Sequence, residues 1–229
     1  MESRIEYISI QLKGRPPFIC YSDDNTEVFT EDGQGEVIPG WALLKHHQCP
    51  NCPLALDNYK YCPLCTTLYP LFSYLSDVAS TDETRITIKE ALFSTQIKLT
   101  AQEAIPLILP QLTILSGCPH WRFNRWAYRY FSYSSDYKFW VFKALAIALV
   151  RELVAGGKFP EKEEIIEKVR HRLAGLKVTV ESLRKRITGE MEDDAGLNAL
   201  VSGSSLVSLL EISVDECLAE WEKEILAGM

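Results

Sequence analysis

Two cysteine pairs constrain this chain more than any other feature: Cys49-Pro50-Asn51-Cys52 and Cys62-Pro63-Leu64-Cys65. Each pair has the C-x2-C spacing, and nine residues separate them. A C-x2-C turn presents both sulfurs on one side of a tight knuckle, and two knuckles can close a tetrahedron around one ion. Prolines after Cys49, Cys52 and Cys62 stiffen the turns and remove competing backbone donors. Thiolates are soft ligands that suit zinc or an iron–sulfur cluster. Short two-residue knuckles favour zinc, with the cluster as the alternative. A closed four-sulfur zinc site has no open coordination position, so its expected role is structural.

Two further groups compete for the metal. Ser116-Gly117-Cys118-Pro119-His120 repeats the Cys-Pro chemistry far along the chain. Cys118 or His120 is therefore a candidate for the fourth position in place of Cys65. A set built from Cys49, Cys52, Cys62 and Cys118 would tie the early loop to the later helices. His46 and His47, just before the first knuckle, read as a solvated pair, and Cys20 and Cys217 as core residues.

The bulk properties narrow the rest. The chain has 229 residues, enough for one large domain or two small ones, with the apolar and charged fractions of a globular protein. Its net charge of −7 argues against a general nucleic-acid binder and disfavours anionic membranes. The start, Met1 to Glu6, lacks a basic n-region and an apolar h-region, and the uncharged run Ala144–Val150 is too short to span a bilayer. These observations lead us to expect a cytoplasmic protein, where thiols prefer metal to disulfide.

Pattern reading gives an α+β layout. Ile8, Ile10 and Leu12 alternate as a half-buried strand, Phe18–Tyr21 can form a second, and residues 27–30 and 36–38 flank a hairpin-like loop. Pro70 is expected to open a short apolar helix. Residues 85–89 and 95–99 read as strands. Thr100 to Glu103 fits a capping box opening a long helix, with Pro106 and Pro110 predicting a kink or break. A helix from Ser135 or Asp136 to Gly156 is apolar nearly all round and is expected to be the buried central helix. Ile166, Val169, Leu173, Leu176, Val180, Leu183 and Ile187 form a heptad seam through Gly175. Residues 193–205 read as a loop or short helix, and Ser213 to Glu216 as a second capping box opening a final helix. The expected organisation is a β-rich domain over 1–99 carrying the metal loop at 46–65, then a helical domain over 100–229 with about four helices.

A second constellation lies in residues 121–142, which hold 11 of the chain's 24 aromatic residues. Arg122, Arg125 and Arg129 recur there at helical spacing beside Trp126. Such a mixture can form an aromatic core edge, stack bases, or make a protein interface. The acidic net charge favours a protein partner or self-association over nucleic acid. No Gly-rich phosphate loop, G-x-S-x-G or H-E-x-x-H occurs, and the four histidines leave little for acid–base chemistry. No catalytic residue is assigned, and the chain leans towards a non-enzymatic role.

At Cys49-Pro50-Asn51-Cys52, Cys62-Pro63 and Ser116 to His120, the chain resembles a family of uncharacterised bacterial proteins over residues 1–155. The resemblance implies a β-rich start, a Cys-Pro loop, more strands and a helix ending in Ser-Gly-Cys-Pro-His. It implies Cys49, Cys52, Cys62 and Cys118 as the recurring set, with less weight on Cys65. The stretch after His120 departs from the family's more histidine-containing pattern. No activity comes with the resemblance. The functional expectation is a protein-binding or adaptor module with a structural zinc site. The alternatives are an iron–sulfur or thiol-based redox or sensor protein, and a nucleic-acid-associated factor.

Overall fold

Alternating Ile8, Ile10 and Leu12 form the inner face of strand β1 (Ile5–Leu12), and all three are buried. The computed structural model describes residues 5–21, 38–90, 92–122, 137–156, 160–188 and 194–227. The expected strands at 27–30 and 36–38 lie, but for Ile38, outside the described residues. Strand β2 (Phe18–Tyr21), β3 (Glu83–Glu90) and β4 (Ser94–Thr100) complete one antiparallel sheet in the order β2-β1-β3-β4. The pairs Ile8↔Ile88 and Ile10↔Ile86 stack apolar side chains on one face. The early and late strands thus belong to one sheet.

Helix α1 (Pro63–Tyr74) begins inside the second cysteine pair, not at Pro70. Cys62 is its N-cap and Pro63 occupies the first turn, where a missing N–H costs nothing. Pro70 lies within the helix. Helix α2 (Ala101–Leu115) follows β4 directly through the expected capping box: Glu103 accepts hydrogen bonds from the Thr100 N–H and hydroxyl at 2.9 and 2.7 Å. It runs unbroken through Pro106 and Pro110. Its buried face, with Ala104, Ile105, Ile108 and Leu112, packs with α1 and the sheet into one apolar cluster.

After the short α3 (Pro119–Arg122) come α4 (Tyr137–Gly156), α5 (Lys162–Ile187) and α6 (Asp194–Ala227). Helix α5 continues through Gly175 as the heptad seam predicts. Val169 and Leu173 join a second apolar cluster with α4 and α6, while Leu183 and Ile187 reach into the first. The seam's partner is α6 of the same chain, whose Val214 and Cys217 are fully buried. Arg170–Asp215 and Lys138–Glu220 ion pairs link α6 to α5 and α4.

Two expectations for the helical region are corrected. Helix α6 is continuous through the serine-rich stretch, so Ser213 is a buried mid-helix residue and not a cap. Val207, Leu210, Val214 and Cys217, spaced 3, 4, 3, keep one buried stripe running past it. Helix α4 is not a buried central helix: of its residues only Val141 and Ala148 are buried, and Phe142, Val150 and Val154 are exposed. These two lie seven residues apart along one line, the single face that α5 and α6 cover.

Candidate metal centre

The first knuckle closes by a turn in which the Cys52 N–H donates to the Cys49 carbonyl at 2.9 Å. The loop carrying it is pinched at its base. Leu43 pairs with Tyr61, the Leu44 N–H donates to the Lys60 carbonyl at 2.9 Å, and the Cys62 N–H donates to the Ala42 carbonyl at 2.8 Å. This antiparallel pinch returns the chain to the start of α1 beside the first knuckle. Cys62 then caps α1 and Cys65 sits one turn in.

The third Cys-Pro arrives from the other direction. Helix α2 stops at Ser116, whose hydroxyl donates to the Thr113 carbonyl at 2.6 Å and accepts from the Cys118 N–H at 3.4 Å. Gly117 lets this turn press on α1. A Cβ there would lie 3.3 Å from Cβ of Pro63, closer than such atoms ordinarily come. The result is that Cys49, Cys52, Cys62, Cys65 and Cys118 all line one small cavity, together with His120 and Arg186. Its free space is about 10 Å³ for a water-sized sphere, room for one small particle. None of the seven cysteines is in a disulfide; Cys20 and Cys217 are buried elsewhere, as core residues. The cysteines line a common cavity, but among the described residues no three His, Cys, Asp or Glu side chains are grouped closely enough to hold an ion.

The cysteines divide electrostatically. The Cys65 thiol donates to Cys62 and, with help from backbone N–H groups at the start of α1 and the nearby Arg186, brings the Cys62 thiol down to about 6. That end of a helix favours an anion. Donating to Cys62, together with burial, pushes Cys65 well above the ordinary thiol range. Burial raises Cys118 to about 11. Burial also raises Cys49, against a hydrogen bond with Ser182 of α5.

His120 on α3 reaches the first knuckle: its Nε2 lies 2.9 Å from the Asn51 carbonyl oxygen. A carbonyl only accepts, so Nε2 carries the proton, and loss of the other ring proton would leave Nδ1 as an acceptor. Asn51 in turn donates to the Gly175 carbonyl at 3.2 Å, so α3 and α5 both hold the knuckle tip. His46 and His47 pack edge to face, with ring centroids 4.7 Å apart, and do not line the cavity. Arg122 ends α3 and is exposed. Arg125, Trp126 and Arg129 lie outside the described residues.

Sequence reading missed Arg186. With Arg184 and Lys185 it resembles a solvated basic helix end, yet it is 1% exposed. Its one signal is the position three residues after Leu183, which keeps it near the seam. Among the described residues no helix is long and apolar enough to cross a membrane.

Residues 17–225 match the model of a domain of unknown function, DUF6901. The match covers most of the chain, which therefore belongs to that family. No curated protein and no solved structure matches it.

Proposed function

We propose that the protein is a non-enzymatic binding or adaptor module stabilised by one structural zinc ion, held by thiolates drawn from Cys49, Cys52, Cys62, Cys65 and Cys118. One observation carries this reading: three separate stretches of chain bring five cysteines to the rim of one cavity. Soft ligands at that density suit zinc, with an iron–sulfur cluster as the alternative. Sulfur–zinc bonds of ~2.3 Å require the side chains to rotate inward from the positions described. The thiolate-favouring position of Cys62 makes it the first ligand. Cys65 and Cys118 compete for the last place, and His120 through Nδ1 competes with them, its Nε2–H already fixed by a carbonyl as ligating histidines commonly are.

The test is metal content. Protein purified without added metal should carry one zinc per chain and lose it in Cys49→Ser and Cys62→Ser variants. Folded wild-type protein with no bound metal, or variants that keep full zinc, overturn the reading. For the binding role, the residues we propose are Arg122, Arg125, Trp126 and Arg129. Self-association in sedimentation should vanish on charge reversal of the three arginines. A monomer at all concentrations removes self-association and leaves a different protein as the partner.

A second reading has its own observation. Cys62 at a helix N-cap, with a lowered thiol and Cys65 as proton donor three residues on, is the arrangement of a reactive dithiol. Oxidised glutathione should then convert the pair to a disulfide reversibly, with two protons and two electrons passing to glutathione. A Cys62–Cys65 pair that stays reduced under that treatment argues for the zinc site.

A further inference from the structure

Arg186 poses a charge problem that no carboxylate among the described residues solves. Its Nη1 donates to the Trp41 and Leu43 carbonyls at 3.3 and 2.7 Å, and its Nη2 to the Leu44 carbonyl at 3.1 Å. These bonds satisfy protons but supply no net charge. Among the described residues no Asp or Glu makes a salt bridge with this guanidinium, which is 1% exposed. A buried cation lacking a counter-charge is costly to keep out of water. Among the described residues, the groups placed to supply that charge are thiols: Arg186 shares the cavity wall with Cys49, Cys62 and Cys65.

We propose that Arg186 is the built-in counter-charge of an anionic, thiolate-ligated metal centre. It acts as a positioning residue that raises metal affinity without ligating. The inference rests on the zinc reading above and deepens it. Several thiolates on one divalent ion leave the centre negative, and a fixed cation against it offsets the cost of keeping those sulfurs deprotonated away from water. The carbonyls it grips, Trp41, Leu43 and Leu44, belong to the pinch that brings Cys62 back to the first knuckle. The same side chain therefore both shapes the loop and balances its charge.

Cobalt(II) titration of the full-length protein separates the two roles, because thiolate-to-cobalt charge transfer and the tetrahedral d–d bands report binding directly. Wild type should bind one cobalt. Arg186→Met should bind 10- to 100-fold more weakly with the same d–d spectrum, and Arg186→Lys should recover most of the affinity although it cannot fork to three carbonyls. A purely structural arginine would lower the melting temperature in both variants and leave cobalt affinity unchanged; that result overturns the inference and leaves the zinc reading standing. Wild type that binds no cobalt removes the zinc reading and this inference with it. Should Arg186→Met not fold, Arg186→Gln takes its place: cobalt binding 10- to 100-fold weaker than in Arg186→Lys supports the counter-charge, and equal affinity in the two contradicts it.

Discussion

The two apolar clusters of this protein are built on different terms. The first, under the sheet and between α1 and α2, is deeply buried. Ile8, Ile10, Phe72, Ile86, Ile105 and Leu112 are fully buried, and the cysteine cavity sits at its edge. The second, among α4, α5 and α6, is narrow and open. Phe142 is 59% and Val154 83% exposed, and Lys143 is held partly inside beside Trp140. Both clusters have ample apolar sequence, so composition is not what separates them. Layering does: sheet and helices enclose the first from two sides, whereas α4 meets its neighbours along one line. The cavity proposed to hold the metal lies at the edge of the first, more deeply buried cluster.

The largest expected effect strikes the first cluster alone. Removing the metal, by chelation or by Cys62→Ser, should destabilise it by several kcal/mol, since binding free energy of such sites is folding free energy. In hydrogen exchange, β1, β3 and α1 should lose protection while the centre of α6 keeps more. Equal loss in both clusters would show that they unfold as one unit and blur the contrast. Next comes a pair of phenylalanines. Phe72→Ala should cost ~3–5 kcal/mol in denaturant unfolding, and Phe142→Ala less than about 0.5. Similar costs would show that α4 is covered in solution.

A gain is expected in the second cluster. Burial lowers Lys143 to about 8 from an ordinary 10.5, so the folded state resists its protonation. The folded protein binds fewer protons than the unfolded chain between these values. Stability therefore rises with pH through that window, and the penalty is complete below pH 8. Lys143→Met should stabilise the protein by about 1–3 kcal/mol at pH 7, with the gain shrinking as pH rises from 8 to 10.5. A pH-independent gain would point to packing in place of charge. The smallest effects are two glycines of opposite sign. Gly175→Ala should stabilise by up to ~1 kcal/mol, because its Cβ meets Asn51 Nδ2 at an ordinary 3.8 Å. Gly117→Ala should cost about 1 kcal/mol by crowding Pro63. Thermal melts of both variants check the signs.

Local signals in the sequence were sufficient for much of this. Alternation located β1, the Thr100–Glu103 box started α2, and a 3-4 spacing carried α5 through Gly175. The pairing of β1 with β3 was not legible, because register such as Ile8↔Ile88 depends on contacts across some eighty positions. Serines and glycines argued locally for a break before residue 205. The buried stripe from Val207 to Cys217 overrode them and turned an apparent capping box into helix interior. Helix α4 misled because periodicity reports apolar faces but not which of them find a partner. At the candidate site, cysteine spacing was readable and convergence of Cys118 could be anticipated from its Cys-Pro repeat. Arg186 could not, since a basic residue in a final helical turn reads as solvated until the fold places carbonyls around it.

The central claim is that distant thiolates meet on one ion. X-ray absorption at the metal edge of the protein as purified measures this most directly. The account predicts a zinc edge and a first shell dominated by sulfur near ~2.3 Å, with three or four scatterers. A shell of nitrogen and oxygen only, or no metal to excite, contradicts it.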